Sequence, residues 1–202
     1  FYSLQGEGFH SGRPAVFVRF SGCNLWSGRE EDRGNAICKF CDTDFIGTEA
    51  PGGVFSNPYD VVSRVNFIWP KNSECHPFVI CTGGEPLLQL DQALLNAFHK
   101  AGFEVAIETN GTIEPPNGID WICVSPKAES TLVVTKGNEL KLVFPQEGID
   151  PEEYTHLEFD HFALQPMDNT ELDKNTRKAW NYCLDHPRWT LSLQIHKILG
   201  IP

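Results

Sequence analysis

Short apolar or β-branched runs that end in Gly, Pro, Ser or Asn recur at 15–20, 78–82, 105–109, 121–125, 140–144 and 162–165, and this rhythm constrains the fold most. Runs of that length and composition read as buried strands, and one more is expected at 191–195. Segments of helical spacing lie between them. Over 91–101, Leu94, Leu95 and Phe98 share one face and Gly102 supplies the stop. The other expected helices cover 57–67 and 170–186. Alternating strand and helix argues for a parallel sheet with right-handed crossovers. The expected fold is α/β, a partial (open) TIM-like barrel with about six parallel β/α units. A chain of 202 residues lies at or below the lower edge for a complete eight-unit barrel. No repeat, low-complexity tract or linker divides it, so a single domain over 1–202 is expected.

The seven cysteines are odd in number, and the first residues lack the basic and apolar regions of a secretory signal. They read as thiols and metal ligands rather than a disulfide framework, in a cytoplasmic protein that crosses no membrane. The chain starts at Phe1 without a methionine, so leading residues are expected before it. A formal net charge of -11 with no basic stripe weighs against nucleic acid and favours a small-molecule substrate.

Cys23 follows the first long strand, and Cys38 and Cys41 form a C-x2-C pair further on, with Phe40 and Asp42 flanking the last thiol. Three thiolates are one short of a closed tetrahedral zinc site but suit a [4Fe-4S] cluster with one open iron. The same spacing also serves half a zinc knuckle completed by Cys75 or His76. Cys81, Cys123 and Cys183 lie in strand or helix patterns and read as buried hydrophobes. The sequence Cys81-Thr82-Gly83-Gly84-Glu85-Pro86 ends a strand, where glycines allow close approach of backbone to a ligand and an acid can receive an ammonium group. A plain strand-to-helix turn would use the same residues.

Three cysteines after an early strand and Gly-Gly-Glu-Pro after a later one resemble the radical S-adenosylmethionine superfamily. The resemblance implies that S-adenosylmethionine chelates the open iron and that the glycine-rich turn contacts its methionine part. One feature departs from the family pattern, which has three residues between the first two cysteines where this chain has fourteen. The surplus coincides with a polar stretch at 28–35, read as a solvated loop. A surface insertion adds little closure entropy, so the thiolates can still converge.

Further motifs narrow the resemblance. They are Leu4-Gln5-Gly6-Glu7-Gly8, Arg19, Cys41-Asp42-Thr43, Glu108-Thr109-Asn110-Gly111, Ser125-Pro126-Lys127 and Gln165-Pro166-Met167-Asp168. In this order, and at strand ends, they are similar to the 7-carboxy-7-deazaguanine synthase family over nearly the full chain. That resemblance implies binding of S-adenosylmethionine by Phe40, Asp42, Gly83, Gly84, Glu85, Glu108, Asn110, Ser125, Pro126, Lys127, Gln165, Pro166, Met167 and Asp168. It assigns the pterin substrate to Leu4, Gln5, Gly6, Glu7, Arg19 and Thr82, which supply donors and acceptors suited to an amide edge and a carboxylate. It also implies Mg2+ on Thr43, an electron donor such as flavodoxin or ferredoxin, and a homodimer. Plain alternatives exist for several: an exposed terminal turn for Gln5 and Glu7, a strand salt bridge for Arg19, a helix cap for Thr43, and turn chemistry for the later motifs.

The implied reaction belongs to 7-deazapurine (queuosine) biosynthesis. Reductive cleavage of S-adenosylmethionine yields a 5′-deoxyadenosyl radical that takes hydrogen from 6-carboxy-5,6,7,8-tetrahydropterin, whose ring contracts and loses ammonia to give 7-carboxy-7-deazaguanine. The apolar end, Leu199-Gly200-Ile201-Pro202, is expected to pack over the site with the Pro202 carboxylate facing substrate. Two rival readings are a glycyl-radical activase, which would not need the motif around Gln5 and Glu7, and a zinc-stabilised binding module, to which His10, His76 and His196 offer ligands.

Overall fold

The computed structural model describes residues 1–49, 52–71 and 74–202. One sheet holds eight strands in chain order, β1 (Tyr2–Leu4), β2 (Pro14–Phe20), β3 (Phe78–Gly83), β4 (Glu104–Thr109), β5 (Trp121–Val124), β6 (Lys136–Phe144), β7 (Glu158–Pro166) and β8 (Trp189–Leu191). The first pair is antiparallel and the six that follow are parallel. Sequential parallel order is the winding of a β/α barrel, so the expected open barrel is the observed one.

Three of the six parallel crossovers carry an α-helix: α1 (Pro58–Ile68) after β2, α2 (Gln92–Lys100) after β3 and α3 (Leu172–Asp185) after β7. The crossover from β6 to β7 carries only a short 3-10 turn, Pro151–Tyr154, and the remaining two are loops. Helix starts follow local chemistry. Asn57 accepts from Asp60 N–H ahead of Pro58, and Asp91 accepts from Leu94 N–H at 2.8 Å, so each side chain satisfies an amide the helix leaves unpaired. Leu94, Leu95, Ala97 and Phe98 of α2 are buried against β3 and β4, and Gly102, at φ +85°, turns the chain out. Full burial of each large side chain contributes roughly 1.5–3 kcal/mol. A second apolar cluster, including Leu140, Leu142, Phe162, Leu164 and Ala179, joins β6, β7 and α3.

The last expected strand differs most. The run at 191–195 is not a strand: β8 ends at Leu191, and Ile195–Leu199 form a short helix, α4. The reason is the barrel's opening. Beyond Leu191 the chain leaves β7 and crosses to the other edge, where Ile195 N–H donates to Gly6 O at 2.9 Å and the Ser192 hydroxyl accepts from Gly8 N–H at 2.8 Å. The C-terminal segment thus bridges the gap between the first and last strands. Among the described residues no helix is long and apolar enough to cross a membrane.

Candidate active site

Strand periodicity aims the site residues inward. Phe17 and Arg19 of β2, Lys141 and Val143 of β6, and Gln165 of β7 alternate with residues that face the outer layer. Register does the rest: Arg19 pairs with Thr82, and Val143 with Gln165. They line one cavity of about 500 Å3, within the usual size for a ligand pocket. Cys23, Cys38, Cys41 and Thr43 line it as well. Every residue that the resemblance assigns to cluster, cosubstrate, substrate or Mg2+ borders this cavity except Glu85 and Pro126, which are buried.

The three thiols line the same cavity despite the fourteen-residue spacing because the intervening chain folds back on itself. Leu25 and Trp26 are buried, Glu30–Asn35 form an exposed 3-10 turn, and Leu25 O accepts from the N–H groups of Ile37 and Cys38 at 3.1 and 3.3 Å. Cys38 and Cys41 share a hydrogen bond that, with burial, pushes the Cys38 thiol up and, with Thr43 N–H, brings Cys41 down to about 6. Burial raises Cys23. Neither Cys75 nor His76 borders the cavity, so the half-knuckle reading gains no ligand from them. His10 lies away from it, its ring 4.3 Å from that of Trp121, whereas His196 does line the cavity.

The glycine turn owes its composition to chain packing. A Cβ at Gly83 would sit 2.2 Å from Phe20 O, and one at Gly84 2.0 Å from Gly22 O and 3.1 Å from the Cys23 Cβ. Only glycines let the turn lie directly against the Cys23 loop. Glu85 is fully buried. Its carboxylate accepts from Leu87 N–H at 3.0 Å, from the Thr109 hydroxyl at 2.8 Å and from Asn110 N–H at 2.8 Å. The side chain therefore ties the end of β3 to the end of β4 and is not available to a ligand's ammonium, contrary to its sequence-level role. Burial raises its pKa against the pull of these donors. Glu85→Gln opposes one donor with another and is expected to cost about 1–3 kcal/mol, read as a lower urea midpoint at unchanged slope.

Lys141 holds the cavity floor. Its ammonium donates to Glu7 at 2.6 Å and Glu108 at 3.0 Å, while Gln5 donates to Glu108 at 2.6 Å and Gln194 to Glu7 at 2.9 Å. Burial opposes the charge on Lys141, yet the two carboxylates keep its pKa well above the ordinary value. Burial also pushes Glu7 up, but the Lys141 ammonium and the bonds from Lys141 and Gln194 outweigh it, and the net shift is downward. Gln5 is buried and Glu7 belongs to this network, so neither sits in an exposed terminal turn. Sequence reading missed Lys141, although a lone lysine between Leu140 and Leu142 in a buried run was a signal.

At the rim, Lys127 donates to Ser125 O at 2.6 Å and to its hydroxyl at 2.7 Å, and burial lowers its pKa. Gln165 Oε1 is buried among cavity-lining residues with no hydrogen-bond partner, an acceptor left for a donor from outside the chain. Lys197 of α4 bridges Asp42 and Asp168, both at 2.5 Å, and joins the loop after Cys41 to the end of β7. Pro202 lines the cavity and accepts from the Ser3 hydroxyl at 2.7 Å, whereas Leu199, Gly200 and Ile201 do not border it. Thr43 caps no helix, because the next one begins at Pro58.

A donor set of three thiols, an orphaned amide oxygen and an enclosed lysine fits an iron–sulfur cluster and a charged organic cosubstrate. Comparison with known proteins agrees. No protein-family model matches the chain. The chain is 58% identical to the 7-carboxy-7-deazaguanine synthase of Burkholderia multivorans, covering all of this chain and 96% of that protein. It is 56% identical, with the same coverage, to the enzyme of that name from Caulobacter vibrioides. Among solved structures, that of QueE from Escherichia coli matches with a TM-score of 0.71 at 26% identity, over 97% of this chain and 92% of that one.

Proposed function

Because the chain belongs to the 7-carboxy-7-deazaguanine synthase family, we propose that its cavity holds a [4Fe-4S] cluster on Cys23, Cys38 and Cys41, with S-adenosylmethionine and the pterin side by side above Lys141. The reaction is the radical conversion of 6-carboxy-5,6,7,8-tetrahydropterin to 7-carboxy-7-deazaguanine in queuosine biosynthesis. Cluster and cosubstrate together supply the hydrogen-abstracting radical. The chain's own residues bind, orient and exclude water. The observation that carries this reading is the meeting of the three thiols, the Gly83–Gly84 turn and the Lys141 network on one cavity.

Within it, Gln165, Pro166, Met167, Asp168, Asn110, Ser125 and Lys127 are proposed to hold S-adenosylmethionine. The unpartnered Gln165 Oε1 supports that side of the division. Gln5, Glu7, Arg19, Thr82 and Pro202 are proposed to hold the pterin. Arg19 stands beside Thr82 in register, and a guanidinium there suits a carboxylate bidentately. Thr43, two residues past Cys41 on the cavity wall, is proposed to hold Mg2+, which takes its remaining oxygens from substrate and water. An electron-transfer protein and a second copy of the chain complete the proposal.

An anaerobic turnover assay tests it: the pterin, S-adenosylmethionine and a reductant should give deazaguanine and ammonia in equal amounts, and an absence of both would refute the reading. Deleting Ile201 and Pro202 is expected to raise the KM for the pterin by about 10- to 100-fold, the worth of a charge-assisted hydrogen bond, with kcat changed far less. Unchanged KM and kcat would remove the tail from the site.

A further inference from the structure

The fourteen-residue spacing between Cys23 and Cys38 carries an arginine that the reaction has not yet used. Arg33 leaves the 3-10 turn and reaches back to the C-x2-C turn. One guanidinium nitrogen donates to Lys39 O at 2.9 Å and to Cys41 O at 3.2 Å. Its carbon lies 4.0 Å from the centre of the Trp26 ring. That ring is itself fixed, since it is buried, packs edge-on to Phe45 at 5.6 Å and donates through Nε1 to Arg29 O at 3.2 Å. Glu30 pairs with the outer edge of the guanidinium, but its side chain is 76% exposed and well solvated, while that of Arg33 is 26% exposed.

The Lys39 and Cys41 carbonyls both accept from one Arg33 nitrogen, so a fixed cation stands against the C-x2-C turn that carries two of the proposed ligands. Hydrogen bonds to ligand sulfurs and nearby positive charge favour the reduced, more negative form of a cluster. We infer that Arg33 is a positioning residue for the cluster, which clamps the C-x2-C turn by two carbonyls and holds the reduction potential higher than the three thiolates alone would set it.

This inference rests on the cluster reading above, and one experiment separates the two. The full chain and its Arg33→Met, Arg33→Lys and Glu30→Gln variants are reconstituted anaerobically, assayed for iron and sulfide, and titrated with dithionite and mediators while the reduced-cluster EPR signal is followed. Arg33→Met is expected to release iron to a chelator about 10-fold faster or more, as typical for removal of a group behind a metal ligand. Its ratio of reduced to oxidised cluster at a fixed potential should fall about tenfold, equivalent to about 59 mV for one electron. Arg33→Lys should recover part of both losses, because an ammonium keeps the charge but lacks the planar fork for two carbonyls and a ring. Glu30→Gln leaves the clamp intact and unmasks its charge, so its potential should rise. If Arg33→Met takes up no cluster, Glu30→Gln decides: a potential equal to or below that of the parent chain overturns the inference. So does an Arg33→Met protein with parental chelation rate and potential. A parental chain that binds neither iron nor sulfide overturns the cluster reading and, with it, this one.

Discussion

Cys38→Ala is expected to bring iron and sulfide to background and to reduce product formation by on the order of 10⁶-fold or more, to the assay floor, while leaving the fold intact. The cofactor supplies the difficult chemistry, so its loss removes the whole rate enhancement rather than a fraction of it. The fold should survive because the cluster loop has its own support. Leu25, Trp26 and Phe45 are buried there, and neither apolar core cluster includes Cys23, Cys38 or Cys41. Far-UV circular dichroism and the urea midpoint of the metal-free protein should therefore match those of the metal-free parent chain. Cys23→Ala and Cys41→Ala should behave alike. Cys183→Ala is the control, since that thiol lies on α3 away from the cavity and should change neither metal content nor turnover. A cysteine variant that kept a full cluster and full activity would defeat the ligand assignment.

Lys141→Met should be the most destabilising single replacement on the cavity floor. The side chain is 4% exposed and is the cation for both Glu7 and Glu108, whose side chains are 16% and 24% exposed. Methionine fills the space but leaves two carboxylates facing each other without a counter-charge. Removing one partner of a buried ion pair costs about 3–5 kcal/mol. The signs of the shifts give the pH dependence. Glu7 is held below its ordinary 4.5 in the folded chain, so its contribution is full above that value and is lost as pH falls through the folded pKa. Lys141 is held above its ordinary 10.5, so its contribution is full below that value and is lost as pH rises through the folded pKa. The deficit of the variant should thus be greatest between about pH 6 and 9 and shrink toward pH 4, as Glu7 takes up its proton. Adding Glu108→Gln should restore part of the loss, since it removes one uncompensated charge. Equal urea midpoints for Lys141→Met and the parent chain at neutral pH would show that the network does not hold the floor together.

Much of this molecule was legible before any coordinates. The strand runs at 15–20, 78–82, 105–109 and 121–125 fall within a residue or two of β2 to β5, because a buried parallel strand must be apolar on both faces and no other short element is. The helix around Leu94, Leu95 and Phe98 was equally plain, since its stripe, its Asp91 cap and its Gly102 stop are all local. Strands β6 and β7 begin earlier than expected, at Lys136 and Glu158, because their first four residues, Lys-Gly-Asn-Glu and Glu-Phe-Asp-His, are mostly polar and do not extend the apolar runs. Strand β1, three residues long, and the helix at Ile195–Leu199 escaped notice because neither is long enough to show a period.

The sequence by itself determined which residue types are offered to the site: Cys23 with a C-x2-C pair, a glycine pair at a strand end, and a series of polar motifs at the ends of apolar strands. Those are properties of residue type and spacing, and they survive without coordinates. Tertiary structure alone decided which partners each polar group meets. It turned Glu85 inward to brace β3 against β4, set Lys141 between Glu7 and Glu108, and carried Lys197 and Pro202 across the open side of the barrel. Such pairings join residues from 24 to 199 positions apart, and their energies depend on distance and burial, quantities that exist only once the chain has closed on itself.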